Sequence, residues 1–329
     1  MLAAMKAIVF DNPGAEDVLQ IGDAAAPAMD ADSLRIRVRA TAVNRADLLQ
    51  RQGMYPPPPG ASPILGLECA GDVIEVGGNV GGWKTDERAM ALLPGGGYAE
   101  EVVVHHGSAM HVPQSLSYEE AGALPEVFLT AYLNLFMLGG AKSGGWALVQ
   151  GGGSGVGTAA IQLLKEAGLK SIVTAGSEEK CRRCIELGAT TAINYRDGEF
   201  ADKVRAATDG RGVDVVLDHI GGKYLAGNID SLAIDGRLVI IGLIGGARSD
   251  INLAALLLKR LQVIGSTLRT RSVQSKAEIV SGFMKQFGDA VGAGRVKPIV
   301  DRVFPLAQAA DAHRLVQASE HFGKVVLRV

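Results

Sequence analysis

The segment at residues 149–158 reads Val-Gln-Gly-Gly-Gly-Ser-Gly-Val-Gly-Thr, and the helical pattern Ala-Ala-Ile-Gln-Leu-Leu-Lys follows at residues 159–165. An apolar strand that stops at a glycine cluster and continues as a helix is typical of a phosphate-binding loop. Glycine lets the backbone turn tightly, and the free N–H groups at the start of the helix favour negative charge. The segment therefore predicts a dinucleotide site.

The glycine spacing departs from the usual fingerprint of such loops. No frame gives G-x-G-x-x-G, because Ser154 occupies the middle glycine position in the frame from Gly152 to Gly157. A single glycine-rich turn is a weak signal. A tight strand-to-helix loop that binds no ligand therefore stays open as the alternative.

Strands and helices alternate through the part of the chain that surrounds this segment. Apolar runs such as those at 213–217 and 238–241 are typical of strands buried on both faces. The pattern predicts an α/β fold with a doubly wound parallel sheet of Rossmann type. Its predicted strands are 146–150, 171–175, 191–195, 213–220, 237–243 and 263–268, and its predicted helices begin at 158, 178, 199, 223 and 253.

The N-terminal part has a different pattern, with short strands separated by glycine and proline. Apolar and basic residues alternate at 34–40, which is the period of a half-buried strand. A compact, mostly β domain follows from this pattern. Its predicted strands are 6–10, 34–40, 72–76, 88–93 and 98–104.

The length of 329 residues is too great for one ordinary core and predicts about two domains. The last segments are too long for a tail and too short for a third domain, so we expect them to return to the N-terminal domain. The predicted division is 1–125 with 270–329 as the catalytic domain and 126–269 as the dinucleotide-binding domain. We expect the substrate in a cleft between the two lobes.

Composition excludes several partners. The net charge is −2, from 33 basic and 35 acidic residues, which gives no attraction to nucleic acid or anionic lipid. We find no secretory signal and no apolar run of the ~20 residues that a bilayer requires, so we expect a cytoplasmic protein. The three cysteines are too few for a disulfide framework, which agrees with a reducing compartment.

The end of the second predicted strand indicates which dinucleotide binds. Ser177 stands 20 residues after Gly157, where an acidic side chain would hold the ribose of NAD, and Lys180 lies one turn later. A neutral donor beside a cation favours the 2′-phosphate of NADPH. The adjacent Glu178 and Glu179 are counter-evidence, and helix capping by Ser177 alone is an open alternative.

The sequence does not predict a metal site. Zinc needs about three or four Cys or His ligands, yet the only pair at suitable spacing, Cys181 and Cys184, lies on a predicted helix with no second pair. The six histidines are scattered along the chain without partners at ligand spacing. We therefore expect hydrogen bonding and positioning from the protein and redox chemistry from the cofactor.

Several motifs together resemble a known family, the zinc-independent quinone oxidoreductases of the medium-chain dehydrogenase/reductase superfamily. The resemblance is greatest to the subgroup typified by the p53-inducible quinone oxidoreductase, with which Ser154 agrees. It implies a GroES-like catalytic domain and no zinc, because Asn44 and Leu67 stand where zinc-dependent relatives carry a ligand cysteine and a ligand histidine. The motifs lie at 42–53, 55–62, 64–68, 91–97 and 154–162.

The resemblance also implies roles for individual residues. The cofactor residues fall into three groups: Ser154, Gly155, Val156 and Gly157 at the pyrophosphate; Gly176, Ser177, Lys180 and Tyr195 at the 2′-phosphate and adenosine; and Gly242, Leu243 and Leu268 near the nicotinamide, together with Thr130. Asn44 and Tyr55 would line the substrate side. Open alternatives are that Asn44 caps a helix, that Tyr55 packs on the proline run and that Tyr195 only packs.

The function expected from these observations is NADPH-dependent, zinc-independent reduction of quinones, as a homodimer that pairs through the edge strand at 263–268. Asn44 or Tyr55 would steady the charge that develops on the quinone oxygen. One alternative is an NADPH-dependent 2-alkenal or enone reductase. Another is a weakly catalytic NADPH-binding protein with a structural or regulatory role.

Overall fold

The computed structural model of the protein describes residues 4–329. The strands are β1 (Ala4–Val9), β2 (Gln20–Ala25), β3 (Ser33–Ala42), β4 (Glu68–Val76), β5 (Arg88–Leu92), β6 (Glu101–His105), β7 (Ala109–His111), β8 (Trp146–Val149), β9 (Lys170–Ala175), β10 (Thr191–Asn194), β11 (Val213–Asp218), β12 (Leu232–Ile240), β13 (Gln262–Gly265), β14 (Val300–Pro305) and β15 (Lys324–Arg328). The α-helices are α1 (Arg45–Arg51), α2 (Tyr118–Ala121), α3 (Pro125–Tyr132), α4 (Gly155–Glu166), α5 (Glu178–Leu187), α6 (Phe200–Ala207), α7 (Leu225–Ser231), α8 (Leu253–Lys259), α9 (Val273–Gly292) and α10 (Ala309–Ala318).

The chain forms two compact units. One comprises the chain up to Leu129 together with Leu268–Val329, and the other is Thr130–Thr267. We call them the β-rich unit and the dinucleotide unit.

The dinucleotide unit is built on one parallel sheet in the order β10-β9-β8-β11-β12-β13. Numbered within the unit this is 3-2-1-4-5-6, the order of the Rossmann fold, which binds ligands at the carboxyl edge where the order reverses. The reversal lies between β8 and β11, whose central residues Leu148 and Val216 are fully buried. The predicted fold class is confirmed.

The β-rich unit contains a seven-stranded sheet in the order β14-β15-β3-β4-β5-β7, with β6 also paired to β3. Strand β15 runs antiparallel to β3, with Val326 opposite Ala42, and β14 runs parallel to β15. The last strands of the chain therefore extend a sheet that its first hundred residues begin. Leu48, Tyr98 and Leu327 belong to the core beside this sheet.

Three boundaries differ from the sequence-based expectation. The predicted break at Pro125 is instead the first residue of α3, because proline lacks only an N–H that the first helical turn leaves unpaired. A π-helical segment, Leu133–Leu138, follows this helix. Strand β12 ends at Ile240, so Gly242 and Leu243 lie in the following loop, and β13 ends at Gly265 instead of residue 268. Within residues 4–329, no helix has the length and apolar character that a bilayer span requires.

Candidate functional site

The glycine-rich turn connects β8 to α4 and is held by Ser154. Ser154 is the N-cap residue of α4, and its hydroxyl accepts a hydrogen bond from the Gly157 N–H at 3.0 Å. The N–H groups of Gly155 and Val156 lie in the first turn, where a helix provides no acceptor. A Cβ at Gly157 would lie 2.3 Å from the Gly151 carbonyl oxygen, so only glycine permits this close approach. The turn thus has the geometry of an anion-binding helix start.

A buried hydrogen-bond chain supports the turn from below. The Thr174 hydroxyl accepts from the Gly151 N–H at 3.1 Å and donates to the Gln150 side-chain oxygen at 2.7 Å. The Gln150 amide nitrogen donates to the Asn228 oxygen at 2.7 Å. All three side chains are buried. Sequence reasoning missed these residues, whose only signal is their polarity within apolar strands and a helix.

The end of β9 carries the residues predicted to contact the 2′-phosphate and adenosine. Ser177 is the N-cap residue of α5, and its hydroxyl accepts from the Lys180 N–H at 3.2 Å. Capping uses only an acceptor lone pair, so the hydroxyl hydrogen stays available for a phosphate. The Tyr195 hydroxyl lies 2.5 Å from where a Cβ at Gly176 would stand. Gly176, Ser177 and Tyr195 therefore lie together at the carboxyl edge.

The acidic residue beside Ser177 is engaged elsewhere. The Glu178 carboxylate accepts a hydrogen bond from the Asn194 side chain at 2.9 Å. Asn194 ends β10, and Tyr195, which follows it, is 42% exposed. The partner of Glu178 is thus a protein amide, which weakens the counter-evidence against NADPH.

The loops after β11 and β12 approach the turn through a histidine that sequence reasoning did not select. A Cβ at Gly151 would lie 2.3 Å from the His219 ring, and a Cβ at Gly242 would lie 3.0 Å from the His219 carbonyl oxygen. Leu243 is 55% exposed in the same loop. The structure therefore brings the predicted nicotinamide residues Gly242 and Leu243 near the glycine turn through His219.

The remaining predicted nicotinamide residues lie in different units. Thr130, in the dinucleotide unit, is buried at the end of α3, and its carbonyl oxygen accepts from the Asn134 side chain at 2.7 Å. Leu268 is buried in the β-rich unit. Their predicted contacts with the cofactor stay predictions.

The β-rich unit holds Asn44 in a group of polar residues that we call the Glu68 network: Asn44, Glu68, Glu126 and Lys324. The Glu68 carboxylate accepts from the Asn44 side chain at 2.9 Å and from the Glu126 N–H at 2.9 Å. Lys324 forms an ion pair with Glu68 at 2.8 Å and donates to the Asn44 side-chain oxygen at 2.6 Å. Glu68 and Lys324 are both buried.

These partners define what Asn44 can do. Its side-chain nitrogen donates to Glu68 and also to the Ala42 carbonyl oxygen at 3.2 Å, which uses both amide hydrogens. Asn44 stands at the N-cap of α1, where Asp47 accepts from its backbone N–H at 2.8 Å. The side chain is thus fully engaged within the unit.

Tyr55, the other predicted substrate residue, packs against Arg269. The Arg269 guanidinium carbon lies 5.3 Å from the centre of the Tyr55 ring. Arg269 is itself fixed, because it donates to the Pro94 carbonyl oxygen at 2.8 Å and to the Gln50 side chain at 2.7 Å. Within the described residues, no hydrogen bond engages the Tyr55 hydroxyl. Sequence reasoning missed Arg269, which lies 214 positions from Tyr55.

Two carboxyl groups in this region have raised pKa values. Loss of hydration, followed by the negative charge of Glu68, raises the pKa of Glu126 to about 8. Burial raises the pKa of Asp47 to about 6, although hydrogen bonds from the Asn44 and Gly66 N–H groups oppose the shift. The same burial effect, aided by the charge of Glu126, raises the pKa of Tyr55. Perturbed carboxyl groups of this kind are common at catalytic sites.

The side chains present do not fit a zinc ion. Within residues 4–329, no group of three or more His, Cys, Asp or Glu side chains is arranged to hold a metal. Asn44 is engaged by protein partners, and Leu67 is a buried apolar side chain. Cys181 and Cys184 are buried on α5, and burial raises the pKa of the Cys184 thiol to about 12. No step of the reaction is derived through zinc.

Comparison with known proteins identifies the family. Residues 155–284 match the family model described as zinc-binding dehydrogenase, and residues 30–114 match the alcohol dehydrogenase GroES-like domain. The rat quinone oxidoreductase is 30% identical and aligns over 98% of this chain and 97% of its own. The human synaptic vesicle membrane protein VAT-1 homolog is 33% identical over 94% of this chain and 82% of its own.

Solved structures give the same result. The Escherichia coli quinone oxidoreductase complexed with NADPH superposes with a TM-score of 0.86, 26% identity and coverage of 99% and 100% of the two chains. An NAD-dependent alcohol dehydrogenase superposes with a TM-score of 0.87, 34% identity and the same coverage. The fold and the nucleotide turn define an oxidoreductase of the medium-chain dehydrogenase/reductase superfamily. Within it, the chain belongs to the quinone oxidoreductase family.

Proposed function

We propose that the protein reduces quinones with NADPH and without zinc. The observation that carries this proposal is the pocket edge formed by Gly176, Ser177 and Tyr195. It offers a hydroxyl donor where an NAD-binding protein has a carboxylate, and the neighbouring Glu178 is bound to Asn194. The NADPH bound by the related quinone oxidoreductase supports the same choice of cofactor.

The residues of the dinucleotide unit would bind and orient the cofactor. The N–H groups of the 154–157 turn and the α4 dipole would hold the pyrophosphate. Ser177 and Lys180 would hold the 2′-phosphate, while the Tyr195 ring would lie along the adenosine. A bound nicotinamide supplies the hydride, and the protein's own task is to position it and exclude water.

In the β-rich unit, the Tyr55 hydroxyl is the group that we propose as donor to the quinone oxygen. Asn44 has no amide hydrogen left for a substrate, so we assign it a supporting role in the Glu68 network. Arg269 fixes the Tyr55 ring and adds a positive charge beside the oxygen that becomes negative. This refines the expectation that either Asn44 or Tyr55 stabilises that charge.

The experiment compares NADPH oxidation with 1,2-naphthoquinone and with a 2-alkenal. We expect rapid turnover of the quinone and a lower kcat/KM for the alkenal. Turnover of the alkenal alone would show an enone reductase, and inactivity with a panel of both acceptors would show a binding protein with little catalysis. Binding of NADPH and NADH, measured by quenching of tryptophan fluorescence in wild type and Lys180→Ala, tests the cofactor choice separately.

We also propose that the protein is a homodimer. Strand β13 is the edge of the parallel sheet, and an unpaired edge invites association. Helix α8 nearby exposes three leucines, Leu253, Leu257 and Leu258, at 68%, 78% and 75%. A second copy that covers this edge would remove both the apolar side chains and the open backbone from water.

A further inference from the structure

Glu126 stands out among the acidic residues of the β-rich unit. Three carboxyl groups, those of Asp47, Glu68 and Glu126, lie close to Tyr55 or Asn44. Asp47 and Glu68 are fully buried, whereas Glu126 is partly exposed. Glu126 is therefore the one of the three whose carboxyl a ligand can reach.

The position of Glu126 is fixed by its backbone. It is the second residue of α3, directly after Pro125, and its N–H donates to Glu68. Glu68 in turn accepts from both Asn44 and Lys324, so the anchor of Glu126 is rigid. The side chain of Glu126 is not needed for this attachment and is free of a structural task in it.

The charges around Glu126 favour its protonated form at neutral pH. Loss of hydration has the largest effect on its pKa, and the charges of Glu68 and Asp47 act in the same direction. Two lysines, Lys276 and Lys324, oppose them without cancelling them. The groups that face Glu126 are Glu68 on β4, Asp47 on α1, Lys324 on β15, Lys276 on α9, and Tyr55 and Arg269 in the loops.

We propose that Glu126 is a catalytic acid, which donates its proton to the acceptor oxygen beside Tyr55. The proposal rests on the proposed quinone reduction. Hydride transfer gives the acceptor two electrons and one hydrogen and leaves an anionic oxygen. The O–H bond of Glu126 then breaks as an O–H bond to that oxygen forms, which yields the neutral hydroquinone and the Glu126 carboxylate. Solvent water returns a proton to the carboxylate for the next cycle.

The test is the pH dependence of kcat/KM for 1,2-naphthoquinone in wild type and Glu126→Gln. The acid form is the active one, so the wild-type value should fall as pH rises through a pKa of about 8. The glutamine variant cannot donate a proton. We expect its kcat/KM at low pH to fall by about 10²-fold and the descending limb to disappear. Glu278→Gln, the same change on the exposed face of α9, should keep the wild-type profile.

A second measurement follows the proton directly, without cofactor or acceptor. Infrared difference spectra of the free protein should show a protonated carboxyl band that disappears with a midpoint of about 8 and is absent in Glu126→Gln. Unchanged NADPH affinity in the variant shows that it is folded.

The two proposals fail in different ways. Rapid quinone turnover that keeps the descending limb in Glu126→Gln overturns the catalytic acid and leaves quinone reduction intact. Absence of quinone turnover in wild type overturns both, whatever the infrared band shows. A missing band in wild type overturns the protonated state of Glu126 on which the acid role depends.

Discussion

Replacement of Lys324 by methionine tests whether the Glu68 network is a buried ion pair with structural weight. Lys324 lies 2.8 Å from Glu68, and the two side chains are 3% and 0% exposed. The methionine variant would leave the Glu68 charge without a cation and remove the hydrogen bonds to Asn44 and the Val43 carbonyl oxygen. Breaking a pair this deeply buried costs about 3–5 kcal/mol of unfolding free energy.

The assay is urea unfolding followed by the fluorescence of Trp83, which lies in the β-rich unit. The chain has two tryptophans, so a Trp146→Phe background makes this signal specific for that unit. The matched control is Lys297→Met, whose partner Glu120 lies 3.2 Å away in an ion pair with exposures of 48% and 23%. An exposed pair of this kind contributes less than about 1 kcal/mol.

A double variant separates the stranded charge from lost packing. Glu68→Gln combined with Lys324→Met contains no unpaired charge, so it should unfold at higher urea than Lys324→Met alone. The reasoning is refuted when Lys324→Met loses no more stability than Lys297→Met, or when the double variant is less stable than the single one.

Three further predictions concern the cofactor edge and the sheet edge. Ser177→Asp keeps a good N-cap for α5 but adds a negative charge, so thermal stability should hold while NADPH affinity falls relative to NADH; equal affinities for both cofactors before and after the change would contradict the 2′-phosphate role. Gly176→Ala places a Cβ 2.5 Å from the Tyr195 hydroxyl and should weaken NADPH binding in fluorescence titrations, with partial recovery in Gly176→Ala/Tyr195→Phe, and no weakening would show that the ring does not contact the adenosine. Leu257→Glu charges the exposed face of α8 and should shift sedimentation from dimer to monomer, whereas Leu243→Glu, at another exposed leucine, should not; a wild-type monomer would rule out the dimer.

The fold could be predicted because its signals are local. Apolar strands such as Leu238–Ile240 and the glycine turn that ends at Gly157 are each decided within about ten residues. Ser154 was first a departure from the fingerprint, and the structure shows it as the N-cap that holds the turn. The family assignment from the motifs is confirmed, while its subgroup and the roles of the site residues stay predictions.

The Glu68 network could not be predicted because its members are distant in sequence. Residues 44, 68, 126 and 324 meet only when β15 pairs with β3 and the start of α3 reaches β4. No short motif contains that information. The sequence analysis therefore found no carboxylate suited to acid catalysis and assigned Asn44 a substrate contact that its hydrogen bonds now make unnecessary. The same distance separates Tyr55 from Arg269.

The central claim is that this protein transfers a hydride from NADPH to a quinone. It is tested most directly by rapidly mixing the protein, loaded with one equivalent of NADPH, with 1,2-naphthoquinone and following NADPH absorbance in a single turnover. We predict stoichiometric loss of NADPH and formation of hydroquinone, with a slower rate when both hydrogens at C4 of the nicotinamide are deuterium. Bound NADPH that persists in the presence of the quinone would contradict the account.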